Sequence, residues 1–226
     1  MTDSETADTY TGEVRVGGPI DVRELPALTI AKLAVGNLSN NAYLLRCRAT
    51  GEGLLIDAAA EPDRLETLAR LGGDTVSSIL TTHRHADHWQ GLAALVARTG
   101  ARTLAGAEDA TAIPVPTDRG LHHGEKLHVG DLDLTVIGLR GHTPDSIALH
   151  YEDPKGVGHL FTGDALFPGG VGRTTNPSDF TTLLNDVTER IFAVYKNDTW
   201  FYPGHGDDST LGAERPQLPE WRQRGW

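Results

Sequence analysis

Short apolar runs punctuated by glycine, aspartate and proline recur along the whole chain, and their two periods separate strands from helices. Continuous or alternating apolar runs predict strands over residues 28–35 (LTIAKLAV), 42–47 (AYLLRC), 53–58 (GLLIDA), 77–82 (SSILTT) and 126–130 (KLHVG). Further strands are predicted over 133–139 (DLTVIGL), 146–152 (SIALHYE), 158–163 (GHLFTG) and 199–204 (TWFYPG). Helical spacing marks 61–72, 88–100 and 177–195, the last with Phe180, Leu183, Leu184, Val187 and Ile191 on one face. Two sets of strands with interspersed helices predict a layered α/β sandwich. No internal repeat or low-complexity linker interrupts the pattern. Residues 1–226 are therefore expected to form one domain, with a flexible lead over 1–12 and a C-terminal helix and tail over 212–226.

Composition narrows the picture. The chain has 226 residues and is 38% apolar, enough for a real core in a soluble globular protein. A formal charge of -11 with scattered basic residues disfavours a nucleic-acid partner, because phosphate binding needs clustered Lys and Arg. Cys47 is the only cysteine, which rules out an intramolecular disulfide and a thiolate-based zinc site. The opening MTDSETADTYTGE has neither the basic nor the apolar region of a secretory signal, and no window reaches the roughly 18 consecutive apolar residues of a membrane span. A cytoplasmic protein with no membrane partner is expected.

The chemistry concentrates in THRHADHWQG, where His83, His85, Asp87 and His88 follow the strand SSILTT directly and precede a helix. Imidazole with carboxylate is the ligand set favoured by zinc and iron, and a strand-to-helix loop is where a layered fold aims side chains into a cleft. Three more polar residues follow strand ends: His142 in GHTPDS, Asp164 in FTGDALF and His205 in YPGHG. Gly141, Gly163, Gly204 and Gly206 flank them, as expected where the backbone turns tightly or approaches a ligand. Together these are seven candidate ligands, enough for two cations.

The set THRHADH, GHTPDS, TGDALF and YPGHG, in that order over residues from about 30 to 210, resembles the metallo-β-lactamase superfamily. That resemblance implies a four-layer αββα sandwich with a metal site at one edge. It implies that His83, His85 and His142 hold one divalent metal ion and Asp87, His88 and His205 a second, with Asp164 bridging them. Zinc is the expected ion, iron or manganese the alternatives. Two such ions turn a bridging water into hydroxide near neutral pH, which points to hydrolysis, with Asp87 both ligand and catalytic orienting group.

Within the family, Asp164 stands where true β-lactamases usually carry Cys or Ser. TGDALFPGGVGR looks like the glyoxalase II and persulfide dioxygenase branches, with Arg173 the matching basic position for a substrate carboxylate. The expected activity is hydrolysis of small thioesters such as a hydroxyacyl thiol conjugate. The alternatives are a mononuclear non-haem iron persulfide dioxygenase, using the positions of His83, His142 and Asp164, and a lactonase or other hydrolase of the same fold. Longer glyoxalase II enzymes append a helical domain that helps hold glutathione, whereas here LGAERPQLPEWRQRGW suggests one short helix and a tail, leaving thiol recognition open. The family often has Gly at Asp145, where Asp is expected to tolerate a left-handed turn. His122, His123, His128, His150 and His159 lack motif neighbours and read as turn or surface histidines. Trp89 and Tyr43 read as core or cleft wall, and Cys47 as a buried apolar filler.

Overall fold

The computed structural model describes residues 9–73 and 76–225. Strands β1 (Asp21–Glu24), β2 (Leu28–Val35), β3 (Asn40–Cys47) and β4 (Gly53–Ile56) lead to helix α1 (Pro62–Ala69), then β5 (Ser78–Thr81), helix α2 (Leu92–Thr99), β6 (Arg102–Gly106) and β7 (Arg119–Leu121). These strands form one sheet in sequential order, antiparallel through β4 and parallel from β4 to β7. Next come β8 (Lys126–Val129), β9 (Leu132–Leu139), β10 (Ser146–Glu152), β11 (Gly158–Gly163) and a small hairpin, β12 (Leu166–Phe167) with β13 (Gly170–Val171). Helix α3 (Pro177–Val187), β14 (Trp200–Pro203), β15 (Ser209–Thr210), helix α4 (Leu211–Glu214) and helix α5 (Leu218–Arg224) complete the order. The second sheet runs β15-β14-β11-β10-β9-β8.

Strand alternation explains the layers. Along β2 and β3, Leu28, Ile30, Tyr43 and Leu45 point one way, into a core shared with Leu134, Val136, Leu149, Phe161 and Tyr202 of the second sheet. Their neighbours Ala31, Leu33, Ala42 and Leu44 point the other way, onto Leu65 and Leu68 of α1 and Leu92 and Leu95 of α2. On the far side, Ile137, Ala148, Leu160 and Phe201 pack under Phe180, Leu183, Leu184 and Val187 of α3 and Trp221 of α5. Two sheets face to face with helices on both outer faces make the expected αββα sandwich.

The termini depart from expectation. Residues 1–8 lie outside the described residues, but the rest of the supposed lead is tied down. The Tyr10 hydroxyl donates to Asp208 at 2.5 Å, and the Gly12 carbonyl accepts from Lys32 at 2.7 Å. Lys32 falls on the inner face of β2 by alternation and is fully buried, so its ammonium needs those partners and Asp208 at 2.8 Å. At the other end the tail is two short helices joined by a tight turn over Arg215–Gln217, anchored by Trp221 edge-on to Phe192. No helix among the described residues is long and apolar enough to cross a membrane.

Candidate metal centre

The stretch after β5 does not enter a helix at once. Ala86–His88 form a single 3-10 turn, and α2 begins only at Leu92, so His88, expected to open the helix, projects with Asp87 from a tight turn before it. That turn lies beside the ends of β9, β11 and β14, which bring up His142, Asp164 and His205. Three overlapping groups of donor atoms result, each with its atoms within 4.8 Å of one another: His83 with His85 and His142, His83 with His88 and Asp164, and Asp87 with His88 and His205. His83 Nε2 lies 3.1 Å from His85 Nδ1 and 3.2 Å from His142 Nε2. Asp87 Oδ2 lies 3.4 Å from both His88 Nε2 and His205 Nε2. Asp164 spans the two ends, with Oδ1 at 3.4 Å from His88 and Oδ2 at 3.5 Å from His205 and 3.8 Å from His142. All seven sequence-predicted ligands converge.

What the imidazoles do with their other nitrogens decides whether a cation fits. His142 Nδ1 donates to the Arg173 carbonyl at 2.6 Å, and His205 Nδ1 to the Leu38 carbonyl at 2.9 Å. His88 Nδ1 donates to Asp57 Oδ2 at 2.8 Å. The Thr82 hydroxyl gives its one proton to Asp57 at 2.8 Å, so it accepts from His83 Nδ1 at 3.0 Å. With Nδ1 carrying the proton in each of these four rings, Nε2 is left as a lone pair directed at the same small volume, the arrangement that fixes metal-ligating histidines. Among the described residues Asp164 Oδ1 is buried with no hydrogen-bond partner, a charge-bearing oxygen whose demand a cation would meet. The donor set fits divalent metal.

Electrostatics point the same way. Burial, reinforced by the neighbouring imidazoles, holds His83 well below its usual pKa, and burial lowers His85 and His142 as well. Burial works against ionisation of Asp87 and Asp164, yet both are lowered, chiefly by His88. His88 is raised to about 10 because Asp57 and Asp164 overcome its burial, and a cation at its Nε2 takes over the role of that proton.

Backbone geometry lets the groups approach. A Cβ on Gly204 would sit 2.2 Å from Asp164 Oδ1 and 2.8 Å from His88 Cε1, so only glycine fits beside His205. Asp57 itself sits at φ 59, a left-handed conformation that brings its carboxylate against the Thr82 amide at 2.7 Å as well as against His88. Asp57, Thr82 and the buried Asn40, which donates to Asp87 Oδ2 at 2.8 Å, were not singled out by sequence reasoning. Their one signal was position: Asp57 closes the run GLLID beside the histidine strand, and Asn40 opens AYLLRC by two residues. Asp109 is a fourth, accepting from the Arg84 amide and the Thr143 hydroxyl and so joining the HxHxDH loop to the His142 loop.

Other expectations are corrected. Asp145 is not among the residues with positive φ, so the turn needs no left-handed tolerance there. Its carboxylate accepts from the Glu108 amide at 3.1 Å. His150 and His159 are not surface residues but lie buried in β10 and β11. His122, His123 and His128 are exposed as expected. Tyr43 is core, its hydroxyl donating to the Pro203 carbonyl, and Cys47 is buried. Arg173 has an exposed side chain next to the site, while its carbonyl orients His142.

A parallel-and-antiparallel double sheet with histidine and aspartate gathered at one edge defines a class of metal-binding sandwich proteins. The chain belongs to the metallo-beta-lactamase superfamily, whose model matches residues 35–205. Among curated relatives, it is 36% identical over 182 residues to a hydroxyacylglutathione hydrolase of Polaromonas sp., covering 79% of this chain and 66% of the relative. A second hydroxyacylglutathione hydrolase, from Cereibacter sphaeroides, is 36% identical over 155 residues, 69% of this chain and 55% of that one. The chain thus spans about half to two thirds of the length of the curated relatives it matches. Of solved structures, ETHE1 from Myxococcus xanthus superposes with a TM-score of 0.72 at 31% identity, covering 86% of this chain and 84% of the other. TTHA1623 in a di-iron-bound form gives 0.69 at 32% identity, covering 81% and 96%.

Proposed function

We propose that the chain is a binuclear metal-dependent hydrolase of small thioesters, acting on a hydroxyacyl conjugate of a low-molecular-weight thiol in the cytoplasm. The observation that carries this reading is the pooling of four Nε2 lone pairs, His85 Nδ1 and two carboxylates at one sheet edge with none of the seven ligands lost. The relatives named hydroxyacylglutathione hydrolase support the substrate class. In this reading His83, His85 and His142 hold one ion, Asp87, His88 and His205 the other, and Asp164 spans both, with zinc the expected metal. When bound, two such ions activate water at neutral pH and polarise the substrate carbonyl.

The chain's own groups do the rest. Asp87, partly exposed and held by Asn40, would orient the attacking water. Asp57 keeps the His88 ring fixed while charge moves at its other end. The exposed Arg173 guanidinium offers a two-pronged partner to a carboxylate on the thiol carrier. The test is to give zinc-loaded protein lactoylglutathione and follow thioester loss, and in parallel to give iron(II)-loaded protein glutathione persulfide with an oxygen electrode. Thioester cleavage without oxygen uptake is expected. Oxygen uptake alone assigns the mononuclear iron dioxygenase instead, and silence in both sinks the substrate class.

A further inference from the structure

The two ends of the metal centre are not supported alike. In the first group, His83 and His142 are each fixed through Nδ1, by Thr82 and by the Arg173 carbonyl, while the exposed His85 turns its Nδ1 to His83. In the second, His88 and His205 are fixed the same way, and Asp87 is a partly exposed carboxylate on a one-turn helix. Among the described residues its one side-chain hydrogen-bond donor is Asn40, whose Nδ2 lies 2.8 Å from Asp87 Oδ2. The same Nδ2 lies 3.3 Å from His205 Nε2 and 3.4 Å from His88 Nε2, so a single amide touches all three donor atoms of that group and none of the other. Asn40 is only 2% exposed. It is held by an antiparallel bridge to His205, and its neighbour Asn41 donates to the Pro203 and Gly206 carbonyls on either side of that histidine.

A carboxylate oxygen has two lone pairs. With one occupied by an amide N–H, the other is aimed at a fixed point, and the rotamer freedom that a partly exposed aspartate would lose on binding a cation is already spent. The donor is neutral, so it orients Asp87 without competing for the ion by charge. We infer that Asn40 is a positioning residue for the second ion alone: it holds Asp87 in its ligating orientation and so sets whether the centre takes up one cation or two. The inference rests on the two-ion reading above.

The experiment is equilibrium dialysis of wild type, Asn40→Ala and Asn40→Ser against graded free zinc, with bound zinc counted by elemental analysis. Asn40→Ser keeps a polar group in the buried place but cannot reach Asp87, so it carries the test if the alanine variant does not fold. The expected result is an unchanged first ion and a second ion weakened about 10- to 100-fold, the usual cost of losing a ligand's hydrogen-bond partner. A general structural role would weaken both ions together. The cobalt-substituted protein gives a second readout, since visible absorption from the second cobalt should be missing from the variants at one equivalent above the first. Two ions bound with wild-type affinities in both variants, or both ions weakened equally, would overturn the proposal. A single ion in saturated wild type would overturn the two-ion reading and this inference with it.

Discussion

Half of the ten histidines are gathered at the sheet edge, and two of the remainder, His150 and His159, are also buried, deep in the second sheet. Both places bury imidazole, at the edge His83 and His88, yet only one gathers a set of metal-ligand donors. His159 shares a hydrogen bond through Nδ1 with the Tyr202 hydroxyl at 2.9 Å, and its buried Nε2 has no hydrogen-bond partner among the described residues. His150 stacks on Tyr195 at 4.0 Å and also leaves Nε2 without one. Burial pushes each down to about 4, so both stay neutral. At the edge the rings are aimed at each other and at two carboxylates, and the carboxylates of Asp57 and Asp164 raise His88 despite its burial. Convergence separates the regions; burial does not.

The comparison breaks most decisively at Asp164. Asp164→Ala removes the anion common to both donor groups and leaves lone pairs facing one another with nothing to gather them. Loss of both metals and a fall in turnover of at least about a thousandfold are expected, roughly 4 kcal/mol or more of transition-state stabilisation. His123→Ala, on an exposed turn, should change neither. Equal metal content in wild type and Asp164→Ala would show that the carboxylate is a bystander like the interior histidines.

The interior pair makes the opposite prediction, in stability and not in metal. The folded-state pKa of His159 is depressed to about 4 against an unfolded value near 6.5, so the unfolded chain takes up the proton first. Its stabilising contribution is present above pH 6.5 and is lost as pH falls from 6.5 towards 4, on the order of 3 kcal/mol over that window. Urea unfolding of wild type and His159→Gln at matched metal content, at pH 7 and pH 4.5, should give a shallower pH slope for the variant. Identical slopes would mean that His159 is already charged in the folded state and that the contrast with the edge is drawn wrongly.

Asp57 sharpens the edge itself. Asp57→Asn keeps an acceptor for the Thr82 amide and tolerates the left-handed backbone, but turns an amide N–H towards His88 Nδ1, donor against donor. His88 then either rotates or protonates at Nε2, and zinc affinity at the second group should drop about 10- to 100-fold with thermal stability little changed. A dialysis isotherm superposable on wild type would show that the ring is held by packing alone.

How much of this could be seen in the chain beforehand follows from what each feature depends on. The long apolar strands over 28–35, 133–139 and 146–152 were legible because both faces of each strand are covered, so hydrophobicity runs along the whole length. β1 with the sequence DVRE and the short β7 were not, since an edge strand owes its pairing to its neighbour and carries no pattern of its own. The seven converging residues were legible because metal chemistry restricts candidate ligands to a few residue types, here His and Asp at strand ends. Asp57, Thr82 and Asn40 were hidden because an outer partner needs only one polar atom in the right place, which many residues can supply from many positions. His150 and His159 misled for a related reason: a histidine in an apolar strand looks polar in sequence but pays no charge cost when burial keeps it neutral.

The smallest effect expected is at the rim, where the proposed function gives Arg173 a second task beside the one its carbonyl performs. Its carbonyl fixes His142 through 2.6 Å, a main-chain contact that side-chain truncation leaves intact, while its guanidinium is exposed and free to meet substrate. Arg173→Ala should therefore leave zinc content and kcat for a glutathione thioester near wild type and raise KM about tenfold, near 1.4 kcal/mol, the mark of binding energy shared by ground and transition states. The effect should shrink with added salt, because an exposed guanidinium–carboxylate pair lies in high dielectric and is weakened by salt. Arg173→Lys, with charge but no planar fork, should recover only part of the loss. A fall in kcat or in bound zinc with KM unchanged would instead place Arg173 among the groups that shape the metal centre, and would move the limit of the site outward by one residue.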